Sequence, residues 1–364
     1  MKIYCTNCRR PYPEQGVPYC CEVCGGLYDY SESFSFDAAE LENNLPGIWC
    51  YRNTFGLPEN APIISLGEGH TPLVWSRLHG REIAFKCESL NPSGSFKDRG
   101  TATLLSFLKS RGVTEAVEDS SGNAGASFAA YAARSGIRAR IYVPESASGP
   151  KRIQIAAYGA EVVAIPGPRT DATEAVRRAA QAGATYASHA YLPFNLPGYA
   201  TLAYELVEQL AGEPGTVILP VGQGGLLLGV VRGFDALLRT GKIKKLPRLV
   251  GVQARACAPL WVLVNYGLTG LQLVAEGQTV AEGIRVRYPL RGDAVIQAVE
   301  KTDGVLLAID EADILSGRDD LARLGLYVEN TSAVVFKALE LVVEKMPEPI
   351  VVVLTGSGLK NPVQ

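Results

Sequence analysis

The chain has 364 residues, 47% apolar and 20% charged, with a formal net charge of −2. That is the composition of an ordinary soluble globular protein with chain enough for two or three domains. No long basic run invites nucleic acid, and only three histidines (His70, His79, His189) are present, which leaves little room for histidine-based catalysis.

Met1–Cys5 opens without the apolar core of a signal peptide. Of eight cysteines, five fall in the first 24 residues. That clustering favours a metal site over a disulfide framework, and a cytoplasmic location follows. Cys5-x-x-Cys8 and Cys21-x-x-Cys24 stand twelve residues apart. Two such turns can bring four thiolates around one Zn²⁺. Residues 1–30 are therefore expected to be a separate zinc-ribbon-like module, with Cys20 as a spare thiol. Four cysteine ligands fill the coordination sphere, so the zinc would be structural and the module distant from catalysis.

Residues 31–62 read as a connector with a short helix, and Ser65–Val74 as a Gly-rich turn running into a strand. Asn91-Pro92-Ser93-Gly94-Ser95-Phe96-Lys97-Asp98-Arg99-Gly100 then starts as a loop and turns into a helix. Lys97 falls on the first helical turn. The positive end of the helix dipole disfavours a further cation there, and a neutral amine is the form that attacks an aldehyde. The lysine suits Schiff-base chemistry.

From there helices and strands alternate. Helices are expected over 98–110, 124–135, 150–158, 171–182, 198–211, 225–238, 311–324 and 332–345. Strands are expected over 115–118, 138–143, 161–165, 185–188, 216–220, 248–253, 305–309 and 349–354. Short β-rich runs between amphipathic helices imply α/β architecture, with parallel sheets covered on both faces. The longest uncharged stretch, Ala256–Ala275, is broken by Pro259, Gly267 and Gly270, and reads as buried core, not a membrane span.

Three loops punctuate the alternation. Ser120-Ser121-Gly122-Asn123-Ala124-Gly125 follows a strand and opens an Ala-rich helix. Alone it is a Ser/Asn helix cap, but its small residues also let an anion approach backbone N–H groups. Pro220-Val221-Gly222-Gln223-Gly224-Gly225-Leu226 turns from a strand into a helix, a geometry that cradles phosphate. Leu354-Thr355-Gly356-Ser357-Gly358-Leu359-Lys360 closes the last strand.

In this order the strings resemble the fold-type II pyridoxal-phosphate enzymes, and N-P-S-G-S-F-K-D-R-G and L-T-G-S-G-L-K are most similar to the threonine synthases. The resemblance implies two doubly wound domains with the cofactor between them: a large one from 31–97 and 197–364, and a smaller mobile one from 98–196. It implies that Lys97 carries the cofactor and that Asn123 meets its 3′-oxygen. Gly222, Gln223, Gly224, Gly225 and Leu226 would hold its phosphate, and Thr355 would face its pyridine nitrogen. A hydroxyl there would not hold that nitrogen protonated, which suits β- and γ-chemistry more than transamination. Ser120, Ser121, Gly122 and Ala124 would receive the substrate carboxylate. A homodimer, an amino-acid substrate and no membrane partner are expected.

The implied reaction is phosphate elimination from O-phosphohomoserine followed by water addition. A dehydratase or β-replacement enzyme is the alternative. The arginine by which threonine synthases grip the substrate phosphate is absent, with Asn195 in its place, and position 124 is Ala where Thr is common. Lys151, Arg152, Arg285 and Arg287 are the substitute cations.

Overall fold

The computed structural model describes residues 1–147, 149–272, 274 and 277–360. The first 30 residues pair β1 (Ile3–Cys5) with β2 (Tyr28–Tyr30) antiparallel. A 3-10 segment, Gly47–Thr54, follows and buries Ile48, Trp49, Cys50 and Tyr51. β3 (Leu73–Leu78) and β4 (Arg81–Lys86) form a hairpin. α1 (Lys97–Ser110), β5 (Glu115–Glu118), α2 (Asn123–Ser135), β6 (Arg138–Pro144), α3 (Pro150–Ala157), β7 (Glu161–Ile165) and α4 (Arg169–Gln181) alternate as the periodicity predicts. α5 (Leu196–Leu210), β8 (Thr216–Pro220), α6 (Gly225–Arg239) and β9 (Arg248–Ala254) continue the pattern. α7 (Pro259–Leu271), α8 (Gly292–Lys301), β10 (Val305–Ile309), α9 (Glu311–Arg323), α10 (Asn330–Val342) and β11 (Ile350–Val353) complete it.

The chain divides into two compact units. The first holds Met1–Gly69, Asn91–Ser93 and Lys97–Tyr199. Its sheet, β5-β6-β7, is parallel. The expected strand at 185–188 is reduced to one parallel bridge, Val117 to Tyr186. The second unit holds His70–Leu90, Gly94–Phe96 and the chain from Ala200 onward. Its sheet runs β10-β9-β8-β11-β4-β3, parallel throughout except for the antiparallel edge strand β3. Thr216–Pro220 and Ile350–Val353 are buried at every residue, as strands covered on both faces must be. Ile83, Phe85, Ile218, Val250 and Val352 form the sheet's share of a core that Val334, Phe336 and Leu339 of α10 close from one side.

Three expectations are corrected. Residues 31–69 belong to the first unit, not with the large C-terminal domain. Glu68 explains the difference: its buried carboxylate accepts from Tyr131 Oη on α2 (2.7 Å), Trp49 Nε1 (2.9 Å) and the Leu66 N–H (2.9 Å). Burial raises its pKa, and the Tyr131 and Leu66 donors offset part of the rise. Residues 1–30 are likewise part of the first unit, because their aromatic residues pack onto α1 and the 186–194 stretch. Finally, Ala256–Ala275 is not buried core. Its described part forms α7, kinked at Gly267, with Val264, Tyr266 and Leu268 exposed. An uncharged run signals apolarity but not which elements cover it. Among the described residues no helix is long and apolar enough to cross a membrane.

The second unit buries an ion pair. Lys86 Nζ on β4 lies 2.7 Å from Glu205 Oε2 on α5, and also donates to Thr71 O (2.7 Å) and Gln209 Oε1 (2.9 Å). Glu205 Oε1 accepts from the His70 N–H at 2.8 Å. Removing one partner of such a pair strands a buried charge. Lys86→Met is expected to cost about 3–5 kcal/mol. Adding Glu205→Leu should recover part of the loss. Thermal midpoints of the two variants against the parent check both outcomes.

Candidate active site

In the first unit the site is organised by the residue after the lysine. Lys97 is the first residue of α1. Asp98 beside it is fully buried, and its carboxylate accepts from Ser93 Oγ (2.5 Å), the Ser93 N–H (2.6 Å) and Ser127 Oγ of α2 (2.6 Å). Thr101 Oγ1, one turn along α1, lies 2.8 Å from the same serine oxygen. These bonds set the first turns of α1 and α2 side by side. Asn123 is the first residue of α2, so the structure brings the starts of the lysine helix and the asparagine helix together.

The 120–124 loop wraps over the end of α2. Gly122 caps the helix in an extended conformation, and Gly125 leaves no room for a side chain: a Cβ there would stand 1.8 Å from Ser120 O. Backbone N–H groups at a helix start are suited to receive an anion. Ser120 and Ala124 are buried; Ser121 and Gly122 are half-buried. Two acids anchor the loop from the end of β5. Glu118 accepts from the Ser120 N–H, and its other oxygen lies 2.6 Å from His189 Nδ1. Asp119 accepts from Tyr186 Oη (2.8 Å) and Thr173 Oγ1 (2.8 Å). Burial, with Asp119 and Glu118 beside it, holds the Tyr186 phenol well above its ordinary pKa, so it stays a donor. Asn195 Nδ2 donates to His189 O at 2.7 Å.

In the second unit two loops emerge at one edge of the sheet. β8 and β11 are parallel neighbours, so Gly222–Leu226 and Thr355 both follow the carboxyl ends of their strands. Gly224 caps α6 at φ +85°, and a Cβ on it would stand 2.2 Å from Val295 Cγ2, so glycine is required. Gly222 packs against the backbone at Ile284. Gln223 turns its side chain away to accept from the Leu290 N–H at 3.1 Å, a structural use of that residue. What remains is a backbone cradle at the start of α6, suited to a phosphate.

Thr355 is 2% exposed. Its N–H donates to Ser332 Oγ (2.9 Å) and its carbonyl accepts from the Phe96 N–H (3.0 Å). Its Oγ1 has no hydrogen-bond partner among the described residues, and neither has Oγ of Ser95, which bridges to Gly356. Buried hydroxyls left unsatisfied by protein fit a site that closes on a polar ligand. Phosphate cradle, orphaned hydroxyl and helix-start lysine are each of the kind that pyridoxal phosphate requires.

The four cysteines meet as their spacing requires. Sγ atoms of Cys5, Cys8, Cys21 and Cys24 all lie within 4.8 Å of one another, with Cys5–Cys24 at 3.4 Å and Cys8–Cys21 at 3.6 Å. Tetrahedral zinc with bonds near 2.3 Å separates its sulfurs by about 3.8 Å. Arg9 and Gly25, each directly after a Cys pair, adopt positive φ and close matching turns. Backbone N–H groups of Val23 and Cys24 hold the Cys21 thiol down to about 6. Cys20 stands outside the cluster.

Several contributors were not singled out from sequence: Asp98 with Ser127, Glu118 with His189, and Ser332 under Thr355. A carboxylate next to the lysine was the one available signal. The others depend on pairs far apart in the chain.

Comparison with known proteins fits this geometry. The family described as pyridoxal-phosphate dependent enzyme matches residues 64–356. A threonine synthase of Methanocaldococcus jannaschii is 33% identical over 98% of this chain and 92% of its own. One of Synechocystis is 33% identical over 86% of this chain and 82% of its own. Among solved structures, a threonine deaminase from T.th. is 28% identical with a TM-score of 0.65, covering 81% of this chain and 93% of that one.

The carboxylate knot makes a direct prediction. Asp98→Asn is expected to lose about 3 kcal/mol of stability, since hydrogen bonds to a buried charge are the strong ones, against about 1 kcal/mol for Ser127→Ala. Chemical denaturation of both variants measures the difference.

Proposed function

The chain belongs to the family of pyridoxal-phosphate-dependent enzymes, and we propose that its reaction is that of the threonine synthases. O-phosphohomoserine loses inorganic phosphate as its γ-carbon–oxygen bond breaks, and one water supplies the β-hydroxyl and a proton to give threonine. The observation that carries this reading is the extent of the match, in which a threonine synthase pairs with 98% of this chain.

In this reading Lys97 holds the aldehyde carbon of the cofactor, Asn123 its 3′-oxygen, the Gly222–Leu226 backbone its phosphate and the Thr355 hydroxyl its ring nitrogen. When bound, pyridoxal phosphate supplies the electron sink for proton loss from the substrate. The 120–124 loop takes the substrate carboxylate on the N–H groups at the start of α2. For the substrate phosphate a cation is needed, because a charge-assisted bond is the strong way to hold a dianion. Of the four candidates, Arg152 donates to the carbonyls of Ala147 (2.8 Å) and Glu145 (3.4 Å), Arg287 lies over the Tyr288 ring, and Lys151 and Arg285 have contacts of their own as well. Arg285 follows the segment packed against Gly222, and we assign the phosphate to it. Cys5, Cys8, Cys21 and Cys24 hold one structural zinc ion.

A second reading, a threonine or serine dehydratase, is favoured by Asn195 at the place of the phosphate-gripping arginine and by the deaminase structure above. Phosphate release from O-phosphohomoserine decides for the first. Release of ammonia and a 2-oxo acid from threonine or serine, without phosphate release, decides for the second.

Lys97→Ala is expected to abolish the visible absorbance of the bound cofactor and all turnover while the fold persists. Borohydride reduction should fix the cofactor to Lys97, and an adduct at another lysine would refute the assignment. Arg285→Ala is expected to raise KM for O-phosphohomoserine far more than for an unphosphorylated analogue. Metal analysis of protein purified without chelator should give one zinc per chain.

A further inference from the structure

Two tyrosines join the cysteine module to the rest of its unit. Tyr12 stands edge-on to Tyr28 at 4.7 Å, and Tyr28 shares the module's small core with Cys5 and Cys21. On its other side Tyr12 meets Phe194 at 5.2 Å and Phe107 of α1 at 6.2 Å, and those two rings stack at 3.5 Å. Tyr19 stands edge-on to Tyr186 and Tyr191, both at 5.1 Å. The two tyrosines thus grip both ends of the 186–194 stretch.

That stretch in turn supports the 120–124 loop. Tyr186 Oη binds Asp119, and His189 Nδ1 binds Glu118, which takes the Ser120 N–H. Both acids directly precede the loop. The stretch has little regular structure of its own. Thr103 Oγ1 donates to Phe194 O (2.7 Å), and Arg177 binds Tyr191 Oη (2.5 Å), so contacts from α1 and α4 also hold it.

We propose that Tyr12 and Tyr19 are positioning residues, through which the folded cysteine module sets the 120–122 backbone and with it the affinity for the substrate carboxylate. The proposal rests on the reading of that loop as the carboxylate site. A stretch of about 30 residues is too small to hold its shape without cross-links. A closed tetrathiolate centre has no open position for chemistry, so what it contributes is mechanical. Metal loss should therefore weaken substrate binding and leave the cofactor in place, because Lys97 is held by the separate Asp98 knot.

The test uses the full-length, cofactor-loaded, zinc-loaded protein. Tyr12→Leu and Tyr19→Leu are compared with Gln15→Ala, an exposed change on the same module. Hydrogen exchange is followed in peptides spanning 115–122 and 186–195, alongside zinc content, visible absorbance, kcat and KM for O-phosphohomoserine. Each tyrosine variant should exchange faster in both peptides. KM should rise about three- to tenfold, the range that lost aromatic pairs convert to. Visible absorbance should be unchanged and kcat within about twofold. Chelator-stripped parent protein should behave the same way, so a variant that loses zinc is judged by the same outcome. Unchanged exchange in both peptides, or a fall in kcat or absorbance at constant KM, overturns the proposal. If O-phosphohomoserine is not turned over, the functional reading fails, and the exchange data still decide this one.

Discussion

The buried carboxylate of Asp98 is the constraint from which the lysine side of the site follows. An ionised group with no access to water needs several donors, and Asp98 finds them in the loop before α1 and on α2. Because those donors come from different segments, satisfying one charge fixes three pieces of chain relative to each other. The lysine and the asparagine then inherit their positions as neighbours of the knot. A hydrophobic residue at position 98 could fill the space, but it could not specify which helix start faces which.

In the second unit the equivalent constraint is topological. Parallel strands deliver their following loops to one edge of a sheet, and ligands of open α/β sheets bind at that edge. β8 and β11 are adjacent, so the glycine cradle and Thr355 follow the same edge of the sheet. The Lys86–Glu205 pair fixes β4 to α5, and the His70 N–H on Glu205 ties in the start of the unit. Its polarity adds specificity more than stability, since buried pairs roughly balance desolvation against attraction.

Much of this was legible in the sequence, and the failures have a common cause. Most helices and the fully buried strands were found because periodicity and apolar runs are local, but α8 was not among them. The helix starts at Lys97, Asn123 and Gly225 were found because helix-start signals are also local. β4 was missed: its Arg-Glu-Ile-Ala-Phe-Lys carries charges at both ends, and Lys86 is buried only because Glu205, far along the chain, neutralises it. α7 was misread because nothing within Ala256–Ala275 says which of its faces meets a neighbour. The assignment of 31–69 failed for the same reason as the isolation of residues 1–30. Glu68 finds Tyr131, and Tyr12 finds Phe194, across distances that no spacing rule reaches.

The cysteine module shows why magnitude matters in such a case. Its link to the 186–194 stretch and α1 includes four ring contacts among the described residues, each worth about 0.5–1.5 kcal/mol beyond simple burial. That sum is small beside the core of either unit, so the module cannot govern whether the α/β fold forms. It offsets part of the cost of ordering a short irregular segment, where fixing each backbone residue costs about 1–2 kcal/mol, and bonds from α1 and α4 offset more. The balance at this interface can therefore decide whether 186–194 holds still, and the acids before Ser120 are bonded directly to that stretch. A small contact energy placed against a segment with little helix or strand of its own has more leverage on binding than the same energy placed in the core.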